Sequence, residues 1–224
     1  MRLCMFHPND SPMERGWVGR LDGERVLHLA AQTLQSFFLG GSGAREHAEY
    51  PIAGVTFLAP VQYPPTVRLF AADGSFSFAN ATAVLGPGTA VARGGSALTA
   101  RARIAAVIGA EGAIGGYSSL VEWHDPAEQP AVKQSDFGLV LGPAVATPDE
   151  VDPETAALEL DGKDVDAGSR ELFSWTEATA LAARRTALRP GDVIAGPSVA
   201  EVEGVSGGVR FAVEGIGVLD CPLC

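Results

Sequence analysis

The sequence predicts a mixed α+β protein in which β structure dominates. Glycine and proline are abundant, at 27 and 15 of 224 residues, which favours many short strands and turns over long helices. Two Asp-Gly pairs, Asp22-Gly23 and Asp161-Gly162, are flanked by alternating apolar residues, as is typical of tight hairpins. Apolar residues recur at helical spacing over one long stretch, residues 169–188. We therefore expect one main helix packed on an extensive sheet.

The first third of the chain predicts a small N-terminal lobe. The stretch "WVGRLDGERVLHLA" is the first hairpin, and a short helix around residues 31–38 is ended by "GGSG". The proline-bracketed strand "EYPIAGVTFLAPVQYPP" indicates a junction, so we expect one domain over residues 1–58 and a second over residues 59–224. The strand "TVRLFAA" then opens the second domain.

The rest of the chain predicts further strands around the main helix. "RIAAVIG" and "GYSSLVEW" are strands, and "SDFGLVLGPAVATPDEV" is a strand-like run with a turn. "ALELDGKDV" repeats the hairpin pattern. The main helix follows, with Arg184 and Arg185 at its carboxyl end, where cations are favoured. "RPGDVIAG" is a turn into a strand, and "GVRFAVEGIGVLD" alternates as a closing strand does.

Composition excludes several classes of function. A net charge of -11 argues against nucleic acid, because phosphate binding requires a basic surface. No apolar run reaches the ~18 residues of a membrane span. The N-terminal "MRLCMFHPND" lacks the apolar core of a signal peptide, and three cysteines do not form a disulfide framework, so we expect a cytoplasmic protein.

Seven short segments, in one order along the chain, resemble landmarks of the fumarylacetoacetate hydrolase family. They are "FLAPVQYPPTVRLF", "AAVIG", "GGYSS", "KQSDFGLVLGP", "LELDG", "LRPGDVIAG" and "VEGIGVLD". The resemblance implies a β-roll catalytic domain with a small N-terminal domain, usually in a homodimer. It also implies cleavage, hydration, decarboxylation or isomerisation of a small dicarbonyl or 2-oxo acid, with Mg²⁺, Mn²⁺ or Ca²⁺ polarising the carbonyl.

The metal-ligand positions of that family hold unexpected residues here. The family's Glu-x-Glu pair falls on Arg101 and Arg103, two apart and therefore on one face of a strand. Its third ligand, an aspartate, falls on Glu122. Guanidinium groups have no acceptor and cannot bind a cation, so we expect no metal and no cofactor. The family's lysine, three residues before an aspartate, is matched by Lys133 and Asp136, and Ser77 lies near the position of its water-activating histidine.

These substitutions allow several interpretations. In the first, Arg101, Arg103 and Ser77 bind a small carboxylated or enolic acid, and the predicted catalytic residues Glu122, Lys133, His124 and Asp136 transfer protons without metal. Tautomerisation, decarboxylation, cyclisation or C–C cleavage would then follow. In the second, Glu122 pairs with one arginine and Asp136 pairs with Lys133, these salt bridges are structural, and the chain is an inactive binding or scaffold homologue. In the third, the arginines face solvent or a rearranged metal site persists. We favour an enzyme.

Overall fold

The computed structural model describes residues 1–94, 97–166 and 173–224. Within these ranges the first nine strands are β1 (Arg2–Pro8), β2 (Trp17–Asp22), β3 (Arg25–Leu29), β4 (Glu46–Pro51), β5 (Val55–Leu58), β6 (Val67–Phe70), β7 (Phe76–Ala79), β8 (Val84–Leu85) and β9 (Leu98–Ile108). The remaining strands there are β10 (Ile114–His124), β11 (Leu139–Ala146), β12 (Leu158–Leu160), β13 (Lys163–Asp164), β14 (Val193–Ala195), β15 (Ala200–Val205), β16 (Gly208–Val213) and β17 (Gly217–Pro222). The prediction of a mostly β fold is confirmed.

The helices are shorter than the sequence pattern predicts. The first, α1 (Leu34–Leu39), begins after Thr33, whose side chain accepts a hydrogen bond from the backbone N–H of Ser36 in a capping box. The second, α2 (Trp175–Ala183), begins after Ser174, which caps it in the same way. The predicted range of 169–188 is therefore wrong at its carboxyl end, because Arg185 has a φ of 62° and cannot continue a helix. Residues 169–172 lie outside the described residues.

One large sheet contains most of the described strands, from β1 to β15. Its strand order is β4-β3-β2-β1-β11-β10-β9-β14-β6-β7, and β5, β8 and β15 pair with β1, β11 and β9. A second sheet has the order β13-β12-β16-β17. Strands from both predicted domains thus share one sheet, and the division at residue 58 stays a prediction. In the described part of the chain, no helix combines the length and the hydropathy that a membrane crossing requires.

Both predicted hairpins are present. Asp22 lies opposite Arg25 in β2 and β3, and Leu160 lies opposite Lys163 in β12 and β13. The second turn has positive φ angles of 51° at Asp161 and 75° at Gly162, which is the geometry that matches the twist of a two-residue hairpin.

The two faces of β9 contribute to two parts of the core. Its even-numbered residues, such as Ala102 and Ile104, join a cluster that contains the fully buried Trp123. Its odd-numbered residues Ala105 and Val107 pack in a second cluster on the opposite face. Arg101 and Arg103 continue that second face, so both guanidinium groups lie at the edge of a packed apolar layer.

Candidate functional site

Strand β9 changes its neighbour at the two arginines. Along one edge it pairs with β15 as far as Ala102, and with β14 from Ala105 onwards. Between these contacts the chain from Gly196 to Val199 crosses over, and the N–H of Gly196 donates to the carbonyl of Ile104 at 2.9 Å. The change of partner brings this crossing segment beside Arg103, whose Nη1 donates to the carbonyl of Gly196.

Arg103 is buried, and four of the five N–H groups of its guanidinium face an acceptor. Its Nε and Nη2 lie 3.0 and 2.8 Å from Oε2 of Glu122. Its Nη1 donates to the backbone carbonyls of Phe70, at 3.0 Å, and Gly196, at 2.9 Å. The guanidinium therefore joins the ends of β6 and β14 to β10, and the expected ion pair between Glu122 and an arginine is present. Such charge-assisted contacts compensate a buried charge that would otherwise be costly.

Arg101 is held much more loosely. Its Nη1 lies 3.6 Å from Oε1 of Glu122, and its Nε lies 3.4 Å from Oε1 of Glu201. Both distances exceed the 2.7–3.2 Å range of good N–H···O hydrogen bonds. The side chain is 28% exposed. Arg101 consequently retains donor capacity that faces solvent, which Arg103 does not.

These side chains line one cleft of about 410 Å³. Its walls are apolar on one side, where Leu69, Phe70, Ala71, Ala72 and Pro197 lie, and carry the hydroxyl groups of Ser77 and Ser198. The four charged residues of the lining are Arg101, Arg103, Glu122 and Glu201. We call this space the arginine cleft. It combines a half-exposed guanidinium with apolar walls, as sites for small organic anions do.

The structure places only some of the predicted site residues in the arginine cleft. Arg101, Arg103, Glu122 and Ser77 line it. Lys133 and Asp136 line a separate pocket beside Asp125, and their ion pair, Nζ to Oδ2 at 2.7 Å, was expected. His124 lies with Nδ1 2.9 Å from the hydroxyl of Ser135 and is not in the lining of the arginine cleft. The catalytic roles of His124, Lys133 and Asp136 stay predictions.

Sequence reasoning missed Glu201, Ser198 and the carbonyl of Phe70. Glu201 lies directly opposite Arg101 across β15 and β9, with Glu122 opposite the same arginine on the other side. The segment "AEVEGV" contains no local signal for that pairing, since it depends on the register between strands about a hundred residues apart. Ser198 is the last residue of the segment "AGPS" (195–198), which stands where the resembled family has a Thr-Gly-Thr-Pro loop that contacts substrate. The resemblance was therefore a usable signal for Ser198.

Solved structures give the clearest comparison, since no family model and no curated protein matches the chain. Maleylpyruvate hydrolase from Sphingobium sp. SYK-6 is 21% identical, with a TM-score of 0.79 over 100% of this chain and 99% of that one. 2-Hydroxyhepta-2,4-diene-1,7-dioate isomerase from Mycobacterium marinum is 21% identical, with a TM-score of 0.78 over 100% and 98%. 2-Keto-3-deoxy-D-arabinonate dehydratase, in complex with magnesium and 2,5-dioxopentanoate, is 16% identical, with a TM-score of 0.79 over 100% and 98%.

The expectation of no metal cofactor is corrected by one of these neighbours. The maleylpyruvate hydrolase was also solved in complex with manganese(II) and pyruvate, and that structure superimposes with a TM-score of 0.77 at 21% identity. The arginine pair alone therefore does not justify excluding a cofactor.

The residues of the arginine cleft do not themselves fit such an ion. Both oxygens of Glu122 face guanidinium groups, and the described residues contain no group of three or more His, Cys, Asp or Glu side chains placed to hold a metal. The neighbours share their architecture with this chain over its full length. This is the architecture that the sequence landmarks predict. The chain therefore has the fold of the fumarylacetoacetate hydrolase family.

Proposed function

We propose that this protein binds a small carboxylated 2-oxo or enolic acid in the arginine cleft and catalyses a proton transfer on it. The observation that carries the proposal is the state of Arg101. Its guanidinium lies in a cleft of about 410 Å³, is 28% exposed and makes only long contacts, at 3.4 and 3.6 Å. A planar guanidinium with free donors suits bidentate binding of a carboxylate or enolate.

Glu122 is the residue that we assign to proton transfer. Its Oε2 accepts a hydrogen bond from Nε of Arg103 and lies 2.8 Å from Nη2 of the same guanidinium, whereas its Oε1 lies 3.6 Å from Nη1 of Arg101. In the simplest reaction, Oε1 removes a proton from the carbon next to the 2-oxo group, and the negative charge that develops on the carbonyl oxygen is stabilised by Arg101. Return of the proton to that oxygen gives the enol. Tautomerisation requires no co-reactant, whereas C–C cleavage would need water.

Neighbours of the same fold support this class of ligand. One was solved with pyruvate and another with 2,5-dioxopentanoate, both small carboxylated carbonyl compounds. In this chain the arginine cleft is the described cavity that brings a guanidinium, a buried carboxylate and hydroxyl groups together. His124, Lys133 and Asp136 would take part only with a substrate that also reached their pocket.

Deuterium exchange into pyruvate tests the proposal directly. We expect the wild-type protein to bind pyruvate in calorimetric titration and to accelerate the loss of the methyl proton signal of pyruvate in D₂O, in assays run both with and without added Mg²⁺. Arg101→Ala should weaken binding by about tenfold or more, because a charge-assisted contact to a carboxylate is lost. Glu122→Gln should abolish exchange. Absence of binding across a panel of 2-oxo acids, with the metal present and absent, would contradict the proposal.

A non-catalytic binding protein is the second candidate. The observation that favours it is the tight engagement of Glu122, which is 4% exposed at its side chain and held by Arg103 at 2.8 Å. A carboxylate fixed so firmly can be purely structural. Binding that depends on Arg101 without any deuterium exchange would support this candidate and would reject catalysis.

We also propose the assembly and the location that the sequence indicates. The resemblance implies a homodimer, and a net charge of -11 supports small-molecule partners over nucleic acid. The position of β7 supports a dimer, because β7 is an end strand of the large sheet and the side chain of its Phe78 is 66% exposed, so a second chain could pack there. We place the protein in the cytoplasm on the grounds of its cysteine content.

A further inference from the structure

We infer that Glu201 is an internal counter-ion of Arg101 that a ligand carboxylate displaces, and that this exchange restricts the arginine cleft to compounds with a single carboxylate. The inference rests on the proposed function, since it concerns the same guanidinium. It adds a residue that selects the ligand by charge.

The register of three strands places Glu201 in position for this role. Arg101 on β9 lies directly opposite Glu122 on β10 and opposite Glu201 on β15, so the three form a row across the sheet. Glu122 is buried and is held by Arg103, whereas the side chain of Glu201 is 42% exposed. Of the two carboxylates, Glu201 can therefore rotate into solvent at little cost, because a partly exposed ion pair at 3.4 Å contributes little to stability.

The charges of the cleft make the exchange electrically neutral. Its lining contains two guanidinium groups and two carboxylates, with formal charges that cancel. When one ligand carboxylate takes the place of Glu201 against Arg101, the inner part of the cleft keeps its balance and Glu201 is solvated. Neither group is left desolvated without a partner, which is the condition that makes burial of charge costly.

A second carboxylate on the ligand would find no such partner. Apart from the two arginines and the two glutamates, the described lining consists of apolar residues, such as Leu69 and Phe70, and of Ser77 and Ser198 with their hydroxyl groups. A second negative charge placed against these walls would be desolvated without a cation, and it would lie near Glu122. We therefore expect monocarboxylates to bind more tightly than dicarboxylates of the same length.

The test compares two ligands across four proteins by calorimetric titration. 2-Oxovalerate and 2-oxoglutarate have carbon chains of equal length and differ in one carboxylate. The proteins are the wild type, Glu201→Gln, Glu203→Gln and Arg101→Ala. Glu203 is the matched control, because it lies on β15, is exposed and does not line the cleft, so its substitution changes the net charge equally.

The expected result is tighter binding of 2-oxovalerate by Glu201→Gln, by about fivefold, with no change in Glu203→Gln. Wild type should prefer 2-oxovalerate over 2-oxoglutarate, and Glu201→Gln should narrow that preference, because the cleft gains net positive charge. Equal gains in affinity for 2-oxovalerate in the two glutamine variants would overturn the inference. The inference would also be overturned if Glu201→Gln left the affinity unchanged while Arg101→Ala abolished binding. The latter outcome leaves the proposed function intact, whereas failure of all four proteins to bind either ligand rejects the proposed function itself.

Discussion

Two arginines only two residues apart have different environments. Arg103 is 8% exposed and binds Glu122 together with the carbonyls of Phe70 and Gly196. Arg101 is half-buried and has only two long ionic contacts. The difference follows from the edge of β9, because Arg103 lies where β15 gives way to β14 and Arg101 lies where β15 is still paired. Position along one strand thus separates a guanidinium group that is held by short contacts from one that makes only long contacts.

Replacement by methionine should separate the two arginines by their effect on stability. Arg103→Met leaves the carboxylate of Glu122 buried without its main partner, and we expect the free energy of unfolding to fall by about 3 kcal/mol or more. Arg101→Met should cost less than about 1 kcal/mol, as exposed ion pairs do. Chemical denaturation monitored by circular dichroism measures both.

The double variant Arg103→Met with Glu122→Leu is the control. It removes both buried charges at once, so most of the lost stability should return. Equal losses in the two single variants would contradict this division of roles.

At the scale of elements, the sheet formed by β2, β3 and β4 carries an aromatic cluster with two histidines. The ring of His28 stacks on Trp17 at 4.6 Å, and the ring of His47 lies 5.4 Å from His28. Burial, and secondarily the charge of His47, hold the pKa of His28 below its ordinary value of 6.5. As pH falls, we therefore expect this part of the sheet to lose stability before the carboxylates of the protein become protonated.

The sign of the response follows from proton linkage. In the unfolded chain His28 takes up its proton near its ordinary pKa, whereas in the folded chain it does so only at lower pH, so the unfolded state binds more protons in between. The stability that His28 contributes is present above its ordinary pKa and is lost as pH falls through the lowered one. Chemical denaturation at about pH 7.5 and about pH 5.5 measures the effect. Between these two pH values, we expect the free energy of unfolding to fall more in the wild type than in His28→Gln. Identical losses would contradict the assignment.

For the whole molecule, the two ends of the large sheet differ in charge. At one end, β4 carries Glu46 and Glu49, which pair with Arg20 and Arg25 at 2.5 and 2.6 Å. At the other end, β7 reads "FSFA" and carries no charge, with Phe78 66% exposed above the guanidinium of Arg68. Charged edge strands resist pairing with other chains, whereas an uncharged apolar edge invites it.

We therefore expect a dimer that uses the β7 edge. Light scattering should give a mass of twice 23.2 kDa for the wild type, and Phe78→Glu should shift it towards one chain, because a charge at the edge would be desolvated. Leu39→Glu is the matched control, since Leu39 is equally exposed, at 69%, but lies at the end of α1. A wild type that stays monomeric at high concentration would refute the dimer, and equal shifts in the two variants would refute the interface.

Much of this architecture was predictable from local patterns, and the part that was not depends on long-range register. The hairpin at Asp161-Gly162 and the strand that contains Arg101 and Arg103 are encoded by turn chemistry and alternation over a few residues. The pairing of Arg101 with Glu201 depends on how β15 docks a hundred residues away, and the length of α2 depends on the backbone of Arg185. The predicted grouping of Lys133 and Asp136 with the arginines came from a family pattern, and the structure places them in a separate pocket.

The hydrogen bonds from Arg103 to the carbonyls of Phe70 and Gly196 also affect how fast a ligand can enter. They fasten the adjacent ends of β6 and β14 to the central strand β9, so the conformational entropy of ordering that side of the cleft is lost during folding rather than on association. A visiting anion meets walls that are already in place. Its capture should therefore proceed in a single kinetic phase whose rate rises linearly with concentration, without the plateau that a slow closing motion would impose.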